Sequence, residues 1–365
     1  MKAIGLMSGT SLDGVDVALI ETDGETIGGF GPASYRAYSD SERDLLRKAL
    51  ADAVSLTRRD ARPGALAEAE ALVTRAHAEA VETFLKSNSL TRDAIDVIGF
   101  HGQTVLHRPD RKLTVQIGDG VALAKTLGIP VVFDMRAADV AAGGQGAPLV
   151  PVYHRALVRM LNRSGPAVVV NIGGVANITY IDGDTLMACD TGPGNALLDD
   201  FMLRTTGEAV DRDGRMAAKG RADVEWIARA LSLPFFGLRL PKSLDRNDFA
   251  ALTVDGMSVE DGAATLTAFT AASIAMIASS LPSTPASWIV VGGGASNPTL
   301  MRMLGERLAP AQVLRGSDLG WSGDAVEAQA FAYMAVRSLK GLPLTFPGTT
   351  GVMAPLTGGV LANPR

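Results

Sequence analysis

The sequence predicts an α/β protein made of two related units, on three observations. Short apolar runs of strand character alternate with amphipathic helical patterns along the 365 residues. Three of the strands run directly into glycine turns, at residues 9–14, 173–174 and 292–294. Two coarse likenesses recur in the same order. Strand, glycine turn and strand at 3–20 return at 168–181, and a buried strand running into glycine at 97–102 returns at 288–294. The length suits about two domains with their own cores.

Each element has a local reason. Residues 3–6 and 15–20 are apolar strands joined by a turn of small and acidic residues. Helices are predicted at 41–53, with Ser41 and Asp44 spaced as a capping box, and at 65–85, with Leu66, Leu72, Ala76, Ala80 and Phe84 on one face. Residues 97–100 form a buried strand ending in a His101-Gly102-Gln103 turn, and 113–117 and 129–133 are strands around a helix starting near Asp119. The glycine-rich stretch 141–148 predicts a functional loop or hinge, after which Pro151 suits the first turn of a helix through Leu161. The second series has strands at 168–171, 176–181 and 185–189, helices at 194–204 and 222–231, and an irregular segment at 233–248. Residues 262–301 carry no charge, but Ala, Ser and Thr with Pro282 and Pro285 favour a buried helix and strand over a membrane span. A helix at 297–308 follows. The last, at 323–340, has a small-residue stripe of Ala325, Ala328, Ala332, Ala335 and Leu339, as a packed crossing between domains would need.

Composition narrows the function. With 34 basic and 39 acidic residues the net charge is −5, without the cationic excess that draws proteins to nucleic acid or anionic membrane. A single cysteine, Cys189, and four histidines argue against a disulfide framework and a Cys/His zinc site, and point to a reducing compartment, the cytoplasm. Asp13 and Asp16 arrive too early for the apolar core of a secretory signal.

Three glycine turns with Asp, Asn, Ser or Thr nearby can converge backbone amides on a polyphosphate. They match neither the Gly-x-x-x-x-Gly-Lys-Ser/Thr loop nor the Gly-x-Gly-x-x-Gly fingerprint. The sharpest local feature is Asp190-Thr191-Gly192-Pro193-Gly194-Asn195, a carboxylate at the end of a strand before glycines and a helix start. On spacing alone Asp190 is either a site carboxylate or a cap for that turn or helix. Asp13 and Asp16 could hold a hydrated magnesium ion, although turn aspartates are common.

Five segments together resemble the anhydro-N-acetylmuramic acid kinase family: Gly9-Thr10-Ser11-Leu12-Asp13-Gly14-Val15-Asp16, His101-Gly102-Gln103-Thr104, Gly144-Gln145-Gly146-Ala147-Pro148-Leu149-Val150-Pro151, Asn171-Ile172-Gly173-Gly174-Val175-Ala176-Asn177, and Asp190 to Asn195. The likeness extends to Gly323-Asp324-Ala325-Val326-Glu327-Ala328 and departs from the expected pattern at Pro241-Lys242-Ser243-Leu244-Asp245-Arg246. The resemblance implies two related domains of the actin/hexokinase-like (ribonuclease H-like) ATPase fold with a central interdomain cleft. The expected division is residues 1–136 plus about 341–365 against 137–340, with hinges near Arg136 to Gln145 and near Gly323.

The activity implied is ATP-dependent opening of the 1,6-anhydro ring of 1,6-anhydro-N-acetylmuramic acid with phosphorylation of O6, in peptidoglycan recycling, with ATP and Mg2+ as cofactors. Asp190 is the implied base and Glu327 the second candidate. ATP would be held by Gly9, Thr10, Ser11, Leu12, Asp13, Gly14, Val15 and Asp16 on one side. Gly173, Gly174, Gly192, Gly194, Asn195, Gly292, Gly293 and Gly294 would hold the other. His101, Gln103, Asp134 and Arg136 are the sugar candidates, Arg136 for the lactyl carboxylate. The magnesium ligands and the oligomeric state stay open, a homodimer included. A kinase for another amino sugar and a non-catalytic actin- or Hsp70-like nucleotide switch are the alternatives.

Overall fold

The computed structural model describes residues 1–365 except Asp245 and Asp324. The expectations for Asp245 and Asp324, in the segments 241–246 and 323–328, lie outside the described residues. The chain divides into one unit of Met1–Asn162 with Asp324–Arg365 and a second of Arg163–Gly323.

The first unit opens with strands β1 (Lys2–Ser8), β2 (Gly14–Thr22) and β3 (Ile27–Ala37), paired antiparallel in succession. Helices α1 (Asp40–Ala53) and α2 (Leu66–Ser87) follow, and then β4 (Val97–Arg108), parallel to β1. Strand β5 (Leu113–Ile117) folds back on β4, helix α3 (Gly120–Leu127) crosses over, and β6 (Val131–Phe133) joins parallel to β4. Helices α4 (Ala137–Ala141) and α5 (Pro151–Met160) end this stretch. In the second unit, β7 (Ala167–Ile172), β8 (Val175–Asp182) and β9 (Thr185–Pro193) form an antiparallel meander. Helices α6 (Ala196–Thr206), α7 (Val224–Leu231) and α8 (Val259–Met276) lead to β10 (Ser287–Val291), parallel to β7. Helix α9 (Pro298–Leu308) then leads to β11 (Gln312–Arg315), parallel to β10. The chain closes in the first unit with α10 (Val326–Leu339), α11 (Pro347–Thr350) and β12 (Val360–Ala362), antiparallel to β6.

The duplication expected from the sequence is a matter of topology. The first sheet runs β12-β6-β4-β1-β2-β3 with β5 on β4, and the second runs β11-β10-β7-β8-β9. Superposing the orders pairs β1 with β7, β2 with β8, β3 with β9, β4 with β10 and β6 with β11, with the same parallel and antiparallel senses. In each unit helices bury one sheet face: Ile4, Leu6 and Ile98 under α1 and α2, and Val168, Val170 and Trp288 under α8 and α9.

Several expectations are corrected. The first helix is capped by Ser39, whose hydroxyl accepts from Glu42 N while Glu42 returns to Ser39 N at 2.8 Å. The longer Glu reaches back where Asp44 instead pairs with Arg47. Strand β3 has no strand period in the sequence because Gly28, Gly29, Gly31 and Pro32 break its pattern, but among the described residues it pairs only with β2, and an edge strand tolerates proline. Strand β11 is four residues long and at most half-buried, too short for a periodic signal. The small-residue helix α10 belongs to the first unit. It lies on the first unit's own sheet, where a Cβ on Gly5 would stand 1.7 Å from Ala328 O and one on Gly99 2.0 Å from Phe331 O. That packing, with α4 and α5, carries residues 137–162 and 325–340 into the first unit and moves both expected boundaries. Helix α8 and the turn after it, Val259–Ser280, are long and apolar enough to cross a membrane, but 78% of the apolar window is buried inside the protein as a core helix.

Candidate functional site

In the first unit the β1–β2 turn is built for exposure at its tip and anchorage at its base. Leu12 adopts φ +57°, its N–H donates to Gly9 O at 3.3 Å, and its side chain is buried in the core with Val15. Leu12 and Val15 can therefore meet a ligand only through backbone. Thr10, Ser11 and Asp13 are exposed, and Ser11 Oγ and Gly14 N both donate to Asp13 Oδ1, at 2.7 and 3.0 Å. Gly14 cannot carry a Cβ, which would meet Arg36 O at 2.3 Å. Asp16 is half-buried on β2.

The expected His101-Gly102-Gln103 turn is instead a bulge inside β4. Phe100 pairs with Leu6 but Gln103 with Ser8, so the β4 side has one extra residue, and Gly102 takes φ +73°. Such bulges re-aim side chains. Gln103 is fully buried and donates from Nε2 to Gly9 O at 3.0 Å, which makes it the tether of the β1–β2 turn. His101 Nε2 accepts from Arg136 Nε at 3.1 Å, with Arg136 Nη2 at 3.0 Å, so the imidazole is neutral with its proton on Nδ1. Burial, then the Arg136 charge, hold His101 well below its usual range. Burial also pulls Arg136 down to about 10, against support from Glu327 and Asp139. Glu327, in the first turn of α10, keeps accessible surface, yet protein crowds its carboxyl. Desolvation raises it, Arg136 opposes the rise and Asp13 adds to it.

Asp134, at φ +56°, accepts from Arg59 Nη2 and lines a cavity of about 300 Å³ with His101, Gln116, Arg62 and Phe133. Arg59, Arg62 and Gln116 were not singled out from the sequence. The charged run Thr57-Arg58-Arg59-Asp60-Ala61-Arg62 was the available signal, and it reads as an ordinary solvated loop.

In the second unit the glycine turns do converge. Gly194 N and Ala196 N donate to Gly174 O at 2.9 and 3.2 Å, and Asn195 N to Gly173 O at 2.7 Å. These amides at the start of α6 are thus engaged by the β7–β8 turn. A Cβ on Gly194 would lie 2.2 Å from Gly173 O. After β10, Gly292 at φ +76° abuts Asn171 and Ile172, Gly294 packs on Ile172, and Gly293 faces Asn195 Nδ2 with room to spare. Gly192 stands against Ser273 and Phe236.

Asp190 lies within β9 rather than at its end. Asn177 pairs with Asp190 but Ala176 with Gly192, so Thr191 is the extra residue of a second bulge, and Thr191 Oγ1 donates to Ala176 O at 3.1 Å. Among the described residues, Asp190 caps neither the 192–194 turn nor α6. Its N–H donates to Lys242 O at 3.0 Å and its Oδ2 accepts from Leu244 N at 2.7 Å. The segment that departs from the expected pattern therefore supports this carboxylate. Burial pushes Asp190 up to about 6, against the lowering effect of the Leu244 N–H. Lys242 Nζ sits 4.4 Å from the Phe235 ring centroid and donates to Phe235 O at 3.2 Å.

Two units with one strand order, each with a glycine turn between its first two strands, define the fold class as actin/hexokinase-like (ribonuclease H-like) α/β. Among solved structures the chain is similar to a ROK family glucokinase from Streptomyces griseus in complex with glucose and AMPPNP, at 15% identity and TM-score 0.41, covering 92% of this chain and 99% of that one. The family model for anhydro-N-acetylmuramic acid kinase matches residues 1–363. Proteins of that name from Nitrobacter winogradskyi and Rhodopseudomonas palustris are 67% and 66% identical over 365 residues, with both chains covered in full. The chain belongs to the anhydro-N-acetylmuramic acid kinase family. It is a sugar kinase, and its substrates are ATP and a small-molecule sugar.

Proposed function

We propose that the enzyme opens the anhydro bridge of 1,6-anhydro-N-acetylmuramic acid with water while phosphorylating O6, giving N-acetylmuramic acid 6-phosphate and ADP in the cytoplasmic recycling of peptidoglycan. Asp190 takes a proton from water as the water oxygen bonds to C1. The C1–O6 bond breaks, O6 bonds to the γ-phosphorus, and the bond to the ADP oxygen breaks. The observation that carries the reading is the Asp190 carboxyl itself, half-buried beside a bulge and raised to about 6. A base with that value is ionised at neutral pH yet still accepts a proton readily. Glu327 is the second acid–base group.

The exposed tip at residues 9–13 supplies amides and the Thr10 and Ser11 hydroxyls to the phosphates. Gly14 and Asp16 form the base of that site. Gly173, Gly174, Gly192, Gly194, Asn195 and the 292–294 glycines hold the rest of ATP. Gly173 and Gly293 are the glycines among these where a Cβ would meet nothing nearer than 3.5 Å. His101, Asp134 and Arg136 meet the sugar, with Gln103 acting through Gly9.

Magnesium fits as a water- and phosphate-held ion. Among the described residues no group of three or more His, Cys, Asp or Glu side chains could hold a metal, and the exposed Asp13 with the half-buried Asp16 would supply the one or two carboxylates such an ion accepts. When bound it would neutralise charge on the triphosphate.

Turnover in water enriched in heavy oxygen tests the reaction. The label belongs at C1 of the product, with phosphate on O6. A phosphorylated product without label at C1 is the outcome of an ordinary amino-sugar kinase and overturns the ring-opening step.

A further inference from the structure

The glycine-rich loop at 141–148 is tied down within its unit at Gly144 to Gly146. Its centre is Asp139 on α4, only 1% exposed. Asp139 Oδ2 accepts from Gly146 N at 2.6 Å and Oδ1 from Thr350 Oγ1 at 2.7 Å. The chain wraps this carboxylate so closely that a Cβ on Gly144 would lie 2.2 Å from Oδ2, and Gly146 turns at φ +67°. Gln145 N adds a bond to Thr350 O at 2.7 Å. The turn held in this way presents Gly146 O to Arg136 Nη1 at 2.8 Å, while His101 takes the Nε side of the same guanidinium.

We propose that Asp139, clamped by Thr350, is a positioning residue for the sugar. Through the Gly146 turn it fixes the plane in which Arg136 meets the carboxylate of the lactyl ether. This rests on the reading of Arg136 given above. A guanidinium discriminates a carboxylate by a planar pair of N–H donors, so its orientation sets the energy of the contact as much as its charge does. Carbonyl on one edge and imidazole on the other leave the fork one orientation. Asp139 touches neither sugar nor phosphate in this role. Its burial also places a negative charge near Arg136 without consuming the fork.

The test is calorimetric binding of the anhydro-sugar, and of an analogue with the lactyl carboxyl reduced to an alcohol, to wild type, Asp139→Asn, Thr350→Val, Thr350→Ser and Arg136→Lys. Wild type should prefer the acid over the alcohol by tenfold or more. Asp139→Asn and Thr350→Val should weaken the acid about 5- to 10-fold, the scale of one lost hydrogen bond. Both should leave the alcohol and ATP within twofold, and Thr350→Ser, which keeps the hydroxyl, should restore wild-type preference. Equal losses for acid, alcohol and ATP would mean a merely structural role and overturn the proposal. If Asp139→Asn does not fold, Thr350→Val decides by the same ratio. Should Arg136→Lys keep the acid preference, the Arg136 reading falls and the positioning role with it. Should Arg136→Lys lose the preference while Asp139→Asn and Thr350→Val keep it, only the positioning role falls.

Discussion

Replacing Asp190 by Asn probes the proposed base and the cost of housing a buried carboxylate in one variant. Burial raises Asp190 from the ordinary 3.8 to about 6, so the native state binds this proton more tightly than the unfolded chain does. Stability tied to the protonated form is full below pH 3.8 and is lost as pH rises through 6. About two pH units at about 1.4 kcal/mol each put the penalty for the ionised group near 3 kcal/mol at pH 8 and about 0.5 kcal/mol at pH 4. Asn keeps an oxygen for the Leu244 N–H and carries no charge. The variant should therefore exceed wild type by up to about 3 kcal/mol at pH 8, with the gap nearly closed at pH 4, in paired denaturant titrations. Turnover should fall about 10²- to 10⁴-fold, the usual worth of a general base, with ATP affinity within twofold. Wild-type kcat should rise through a limb near pH 6. A stability gap that does not change with pH, or near-normal turnover, would refute the argument.

Other substitutions test separate links. Glu327→Gln should lower turnover less than Asp190→Asn and keep the limb near pH 6; if the limb vanishes with Glu327 and survives loss of Asp190, the two roles are exchanged. Gln103→Leu should raise the KM for ATP about 5- to 10-fold by freeing Gly9 O, with little change in the KM for sugar. A larger effect on sugar would return Gln103 to the substrate. Gly99→Ala sets a methyl 2.0 Å from Phe331 O and should cost about 3 kcal/mol in a thermal or denaturant melt, where an unaltered midpoint would contradict the packing of α10.

What could be read in advance follows from where the information lies. Apolar runs with clean ends, such as β1, β2 and β7 to β9, declare themselves by period and turn residues, and so did α2, α3 and α5. Strand β3 did not, because an edge strand with one paired side tolerates the glycines and proline that break a pattern. The glycine at 102 was visible, but a bulge and a turn share that signature, and only the shifted pairing of Leu6 and Ser8 separates them. Asp190 stood out by its neighbours, yet its support by Leu244, 54 residues away, is a contact that no local reading reaches. The same holds for Asp139 and Thr350, which lie 211 residues apart.

The duplication also explains where substrate choice must reside. Strands β1, β2, β3, β4 and β6 have counterparts in the second unit, and what they share is a glycine turn between the first two strands. On the proposed function, this shared feature would serve the nucleotide phosphates. The cavity of about 300 Å³ is lined by Gln116 and Val115 of β5 and by Arg59 and Arg62 of the loop before α2, and β5 has no partner strand in the second sheet. Insertions on a common frame carry the contacts that differ between substrates, because they change without disturbing the strands that position the turn. Changes at Gln116 or Arg59 should therefore alter which sugar is accepted while leaving ATP affinity within twofold. Competition assays between the anhydro-sugar and unbridged amino sugars read this directly. Equal losses for every sugar and for ATP would show that the cavity supports the fold rather than selecting the substrate.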